Sequence, residues 1–219
     1  MNWTLGALVM LAASAPLSAA WAADKPTAMI ESVTPPAAGL NPTDYLEPGR
    51  TITLPEGGTL VLDYLGSCIH ETITGGTVRI GTDQSQIEHG KVVRSQYDCD
   101  GSGLQLSASQ SDAGGVAVYR ALGQPTKPTL TVNATMPVIV TTETAPITLE
   151  RVDANEAPVD LGPPAVYGTR GVMDFARLGR SLVPGGIYRL TQDKRVLVFK
   201  VDAHAQPGPL PVVQRLLPL

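Results

Sequence analysis

Residues 49–80 read GRTITLPEGGTLVLDYLGSCIHETITGGTVRI, and the fold is decided in this stretch. Leu60, Leu62 and Tyr64 alternate with Val61, Asp63 and Leu65, the period of two that sends successive side chains to opposite faces of a strand. Threonine and β-branched apolar residues fill the runs, and Gly57-Gly58 and Gly75-Gly76 punctuate them. The stretch therefore predicts strands at 51–54, 59–65, 68–73 and 77–80 joined by turns, each with one face free to pack inward.

The pattern continues outward. Further strands are predicted at 92–97, 104–108 and 116–122. Residues 123–128, GQPTKP, then break it with two prolines around a polar stretch, the composition of a linker. A second series follows at 129–133, 138–142, 147–153, 187–191 and 195–202. Between these, Val172, Phe175, Ala176 and Leu178 fall at near-helical spacing ahead of Gly179 and Pro184-Gly185-Gly186, which predicts one short helix over 172–180. The fold class is all-β: two small sandwich-like modules of short antiparallel strands, at 49–123 and 129–205. Upstream, Pro26, Pro35, Pro36, Pro42 and Pro48 mark 23–48 as an extended arm. Downstream, the proline-broken apolar tail 206–219 suits an edge strand or packing across the module junction.

Composition agrees with this class. Of 219 residues, 22 are Gly and 19 Pro with only 5% aromatic, which favours many turns over helical bundles. A net charge of -4 without basic runs disfavours nucleic acid and anionic lipid as partners. The apolar run from Leu5 to Leu17 has the length of a signal-peptide core, and Ala20-Trp21-Ala22 supplies an Ala-x-Ala site, so cleavage is expected after Ala22. No later run approaches the roughly 18 apolar residues of a membrane helix. The expected location is periplasmic or secreted, with no transmembrane segment in the mature chain. In that oxidising setting Cys68 and Cys99, the only cysteines, are expected to form a disulfide.

Three stretches, Pro48-Gly49-Arg50-Thr51-Ile52-Thr53-Leu54, Gly58-Thr59-Leu60-Val61-Leu62 and Ile73 to Gly81, resemble the short-strand pattern of FecR-like periplasmic β domains over residues 48–122. The second module, with Leu182-Val183-Pro184-Gly185-Gly186-Ile187-Tyr188 before a strand ending Phe199-Lys200-Val201-Asp202, resembles an immunoglobulin- or fibronectin-like module. Both resemblances imply architecture rather than activity.

Motifs of catalysis and cofactor binding are sparse. Gly101-Ser102-Gly103 lacks the Gly-x-Ser-x-Gly frame of a serine hydrolase, and the glycine pairs lie between strands rather than before helices, so neither a dinucleotide fingerprint nor a phosphate loop is present. No cofactor is expected. Asp98-Cys99-Asp100-Gly101-Ser102-Gly103 opens like a calcium loop, but its twelfth position is Ser109, which has no carboxylate, and an Asx turn explains the run. A metal-dependent or hydrolytic site would have to be built from His70, Glu71, His89, Asp98 and Asp100 in the first module. The leading expectation is instead a non-enzymatic binding or assembly component with a protein partner in the cell envelope. Its expected surface is the turn-rich rim of the first module, around Gly75-Gly76, Gln84-Ser85 and His89-Gly90. Arg79 and Arg94 are the candidate anchors there, because arginine is enriched in interface hot spots.

Overall fold

In the computed structural model the described residues are 25–37, 39–99 and 127–219. The leader 1–22, the strands expected at 104–108 and 116–122, and Asp100 fall outside them. The described chain is all-β apart from one 3-10 turn at Val212–Gln214. Among the described residues no helix is long and apolar enough to cross a membrane.

The first module is a six-stranded sheet. Strands β1 (Ala28–Thr34), β2 (Tyr45–Leu46), β3 (Thr51–Tyr64) and β4 (Ile69–Arg79) run in the order β2-β1-β3-β4. Strands β5 (Gln86–Glu88) and β6 (Lys91–Gln96) share the far side of β4. The alternation in the sequence is realised: Leu60, Leu62 and Tyr64 are fully buried together with Ile30, Leu46 and Ile73 in one core. Each such aliphatic side chain contributes roughly 1.5–3 kcal/mol by leaving water.

Two expectations are corrected here. The proline-rich segment is no arm, since β1 lies inside the sheet, paired with β2 on one side and β3 on the other. Pro26 precedes β1, Pro35, Pro36 and Pro42 sit in the connection after it and Pro48 follows β2, while Met29 and Ile30 within β1 have the side chains of an inner strand. Nor do the glycine pairs separate strands. Leu54 pairs with Gly76 and Thr59 with Thr74, so residues 55–58 on β3 bulge opposite Gly75 alone, and both strands run on through the irregularity. Bulges bend a sheet. The edge bends in register with them, because β5 and β6 meet at His89-Gly90 beside Gly75-Gly76. Here glycine is required: a Cβ on Gly76 (φ 81°) would strike Glu88 O, and one on Gly90 would strike Gly75 O.

The second module has two sheets over one core. Strands β7 (Leu130–Ala134), β8 (Val138–Thr141), β9 (Thr148–Arg151), β10 (Val159–Asp160), β11 (Ala165–Tyr167), β12 (Arg170–Asp174), β13 (Ile187–Gln192), β14 (Arg195–Gln206) and β15 (Leu216–Pro218) form β10-β9-β13-β14-β7 and β11-β12-β8-β15. Ile139 and Leu217 from the smaller sheet meet Leu190, Leu197 and Phe199 from the larger. The tail thus supplies an edge strand, parallel to β8.

The helix expected over 172–180 is absent. Val172 and Met173 pair with β8 in β12, and the rest makes a single turn closed by Leu178 N–H to Asp174 O (3.1 Å) and Arg180 N–H to Phe175 O (2.9 Å). The Asp174 carboxylate takes the Ala176 amide, and Gly179 at φ 62° ends the turn before a second can form. Four apolar residues are too few to tell a helical stripe from a strand and turn.

Gly90→Ala should destabilise the chain by about 1–3 kcal/mol through that backbone collision. Gly66→Ala, where a Cβ meets nothing within 4 Å, should change stability by less than about 0.5 kcal/mol. Urea unfolding of both variants checks this, and equal losses would show that the bend does not depend on the close approach.

Candidate functional site

The modules meet on the outer face of the first sheet. Met29 there joins Val138, Val172, Val212 and Val213 in a third apolar cluster. Beside it three strands bring together Glu31, Asp63 and His70. Asp63 and His70 are directly paired across β3 and β4, whereas Glu31 is the extra residue of a bulge between Ile30 and Ser32 in β1. Asp63 is wholly buried; its Oδ1 lies 2.7 Å from His70 Nδ1 and its Oδ2 accepts the Val213 N–H at 3.3 Å. Glu31 Oε2 accepts the Val212 N–H at 3.1 Å and stands 3.9 Å from His70 Nδ1. The first amides of the 3-10 turn have no acceptor within the turn, so two carboxylates supply them. Arg215, directly after the turn, is buried and bound to Asp174 Oδ1 (2.7 Å), Met136 O and Leu210 O.

Electrostatics follow the geometry. Burial and the neighbouring Asp63 push the Glu31 carboxyl above the usual range, against the pull of the Val212 amide, His70 and Arg215. The hydrogen bond to Asp63 holds His70 above its ordinary 6.5. These three side chains are the one set of metal-ligand type among the described residues with donor atoms within 4.8 Å of each other. Their oxygens already accept the imidazole and two main-chain amides, so the arrangement acts as a clasp on the C-terminal segment.

The five residues considered for a metal or hydrolytic site do not come together. His70 and Glu71, as neighbours on β4, face opposite sides of the sheet. Glu71 is buried among Ser85 N–H (3.1 Å) and Arg94 Nε (2.7 Å), while Arg94 Nη2 reaches Ser85 O at 2.8 Å. Tyr64 completes this network through a 2.8 Å contact with Ser85 Oγ. His89 sits in the β5–β6 turn at φ 57°, about five residues along the sheet from His70, roughly 16 Å at the strand rise. Asp98 gives its carbonyl to Gln214 Nε2. Arg94 therefore fastens the 81–85 loop rather than standing ready as an anchor, and Ser85 is buried rather than on a rim. Arg79 is exposed at the end of β4. Asp63 was legible as an outward residue of its strand, but nothing local marks Glu31, whose position depends on a bulge.

The disulfide forms, joining Cys68 after β3 to Cys99 after β6. It borders a groove of about 1010 Å³ that opens between the modules. One wall is β7, an edge strand bonded only to β14 among the described residues. Val201 N–H bonds to Gly186 O, so Val201 and Phe199 face β13 while Val198 and Lys200 face β7; the parallel register then bonds Leu130 and Val132 to β14 and turns the Thr131 and Asn133 amides toward the groove. Carboxamides of Gln96, Asn133, Gln206 and Gln214 are spread around it. The sequence marks 129–133 as a strand but holds no sign that it lies at an edge, because its parallel partner is some 70 residues distant. Matched against family models, curated proteins and solved structures, the chain finds no counterpart in any of the three.

Two outcomes follow from the ion pairs. Because the folded state raises the His70 pKa, its contribution is complete below about pH 6.5 and is lost as pH rises through the raised value; the raised Glu31 pKa acts in the same direction at lower pH. Thermal unfolding should thus occur at a lower temperature near pH 9 than near pH 6, and His70→Gln should flatten the difference over that interval; an unchanged profile would remove His70 from the clasp. Arg94→Ala leaves the buried Glu71 carboxylate without its cation and should cost on the order of 2 kcal/mol in urea unfolding, discounted because Arg94 is partly exposed.

Proposed function

We propose that this chain is an exported, non-enzymatic binding component of the cell envelope that receives an extended segment of a partner protein by strand addition along β7. The observation that carries the reading is the groove: outward amides at Thr131 and Asn133 stand beside uncharged carboxamides, a lining that offers hydrogen bonds to the main chain of a peptide. The leader-like N-terminus, the disulfide and the resemblance of residues 48–122 to FecR-like periplasmic domains support export. The binding surface moves accordingly from the first-module rim to the junction, since Arg94 belongs to the Glu71 network.

Thr131→Pro deletes one outward amide while leaving the β14-facing groups of Leu130 and Val132 intact. With a partner captured from native envelope, hydrogen exchange should show new protection at Thr131 and Asn133. Thr131→Pro should weaken binding about tenfold, equivalent to about 1.4 kcal/mol, and Arg79→Ala should not. Protection confined to β5 or β6, or dependence on Arg79, would overturn strand addition at β7.

A further inference from the structure

On the other side of the 3-10 turn from the groove lies a smaller cavity of about 220 Å³ at the same junction. Its walls are mostly apolar, with Val138, Leu161, Val172 and Met173 from the second module facing Pro42 from the first. Such mixed-origin, mostly apolar cavities at module boundaries, with a few polar groups, are where small ligands bind. The charged groups on this wall are unequally answered. Asp174 holds Arg215 at 2.7 Å and has Arg177 Nε 3.9 Å from its second oxygen. Asp63, behind Glu31, is answered by His70 and the Val213 amide. Glu31 uses Oε2 for the Val212 amide, its nearest cation, His70, is hydrogen-bonded to Asp63, and its Oε1 has no hydrogen-bond partner among the described residues. A half-buried carboxylate with one unused oxygen beside an apolar cavity favours a cation with an apolar body.

The wall carries a second cost. Thr43 is β-branched yet held at φ 71°, and its buried hydroxyl has no partner among the described residues. Its N–H bonds to Ile30 O (2.7 Å) and its carbonyl to Arg170 (3.1 Å), so both modules hold the strained residue in place. Strain of this kind persists where surrounding structure fixes it, and it gathers at binding sites.

We infer that this cavity binds a small organic monocation, an aromatic ring or short hydrocarbon bearing one ammonium group, with the ammonium on Glu31 Oε1 and the hydrocarbon against Val172 and Met173. Size supports a ring: an apolar cavity of about 150 Å³ accepts benzene, so this one accommodates a ring with a one-carbon amine. Exposed Arg177 at the rim, 3.5 Å from the Tyr167 hydroxyl, disfavours a second positive charge on the ligand.

Benzylamine is the probe, benzyl alcohol its neutral counterpart, and the oxidised chain the protein. Titration followed by calorimetry and by the Met173 methyl resonance should give saturable benzylammonium binding with a Kd of about 1 mM or tighter, and benzyl alcohol about tenfold weaker. Glu31→Gln keeps an oxygen for the Val212 amide but removes the charge; it should cost benzylamine about tenfold and leave the alcohol unchanged. Ala165→Trp, an exposed strand position lining the cavity, should abolish both by filling it. Absence of saturable binding, equal affinity for amine and alcohol, or binding that survives Ala165→Trp would each overturn the site. If Glu31→Gln fails to fold, the comparison of the two probes together with Ala165→Trp decides alone.

Discussion

Asp63 has no solvent exposure, and a carboxylate in that position is tolerated only when its lone pairs are fully met. Among the described residues of its own module it has one hydrogen-bond partner, His70; the second comes from Val213, 150 residues along the chain. Removing the C-terminal segment would leave a buried acid half satisfied, while the turn would lose the acceptors for its leading amides. Each side thus needs the other, and the apolar contact of Met29 with Val138, Val212 and Val213 seals the pair from water. A lower local dielectric strengthens hydrogen bonds already made and raises the cost of breaking them. The juxtaposition of the modules, and with it both junction cavities, rests on this exchange.

The first sheet can offer that face because it buries its other face by itself. Bulges at 55–58 and Gly75, continued at His89-Gly90, bend β3, β4 and the β5–β6 edge along one line. Ile52, Leu54 and Val78 on one side of the bend share a core with Leu60, Leu62 and Ile73 on the other. Without the close approach of Gly76 and Gly90 the two halves would splay. The face carrying Met29, Asp63 and His70 is then a docking surface rather than a second solvated side.

Periodicity was enough to read the all-β class, the inward set Leu60, Leu62 and Tyr64, and most strands of the second module, because each is a local property of the sequence. Bulges are not local in that sense. Gly75-Gly76 has the same letters whether it turns a chain or kinks a continuing strand, and only the register of β3 decides. Glu31 is aimed at His70 by a bulge in a strand that its prolines disguised as an arm. The helix expected at 172–180 failed for a related reason: Val172 and Met173 answer to Val140 and Ile139 on β8, distant in sequence, rather than to their own spacing. Arg94 shows the same limit at the level of a side chain, since its sequence neighbours give no sign of the buried acid opposite it.

The C-terminal segment has three separate holds on the structure. β15 completes the smaller sheet, Arg215 is buried against Asp174, and the turn just before them reaches back to the first module. Within that turn Val212 lines the smaller cavity while Val213 and Gln214 line the groove. Consecutive residues of one rigidly bonded turn therefore form walls of two different spaces. A displacement of the turn that widens one must alter the other, and its size is limited by how far Val212 and Val213 can move before leaving Glu31 and Asp63. Three residues with both leading amides committed leave little such freedom. Coupling between the two spaces, where it exists, is carried by the carboxylate contacts themselves rather than by any longer path through the sheets.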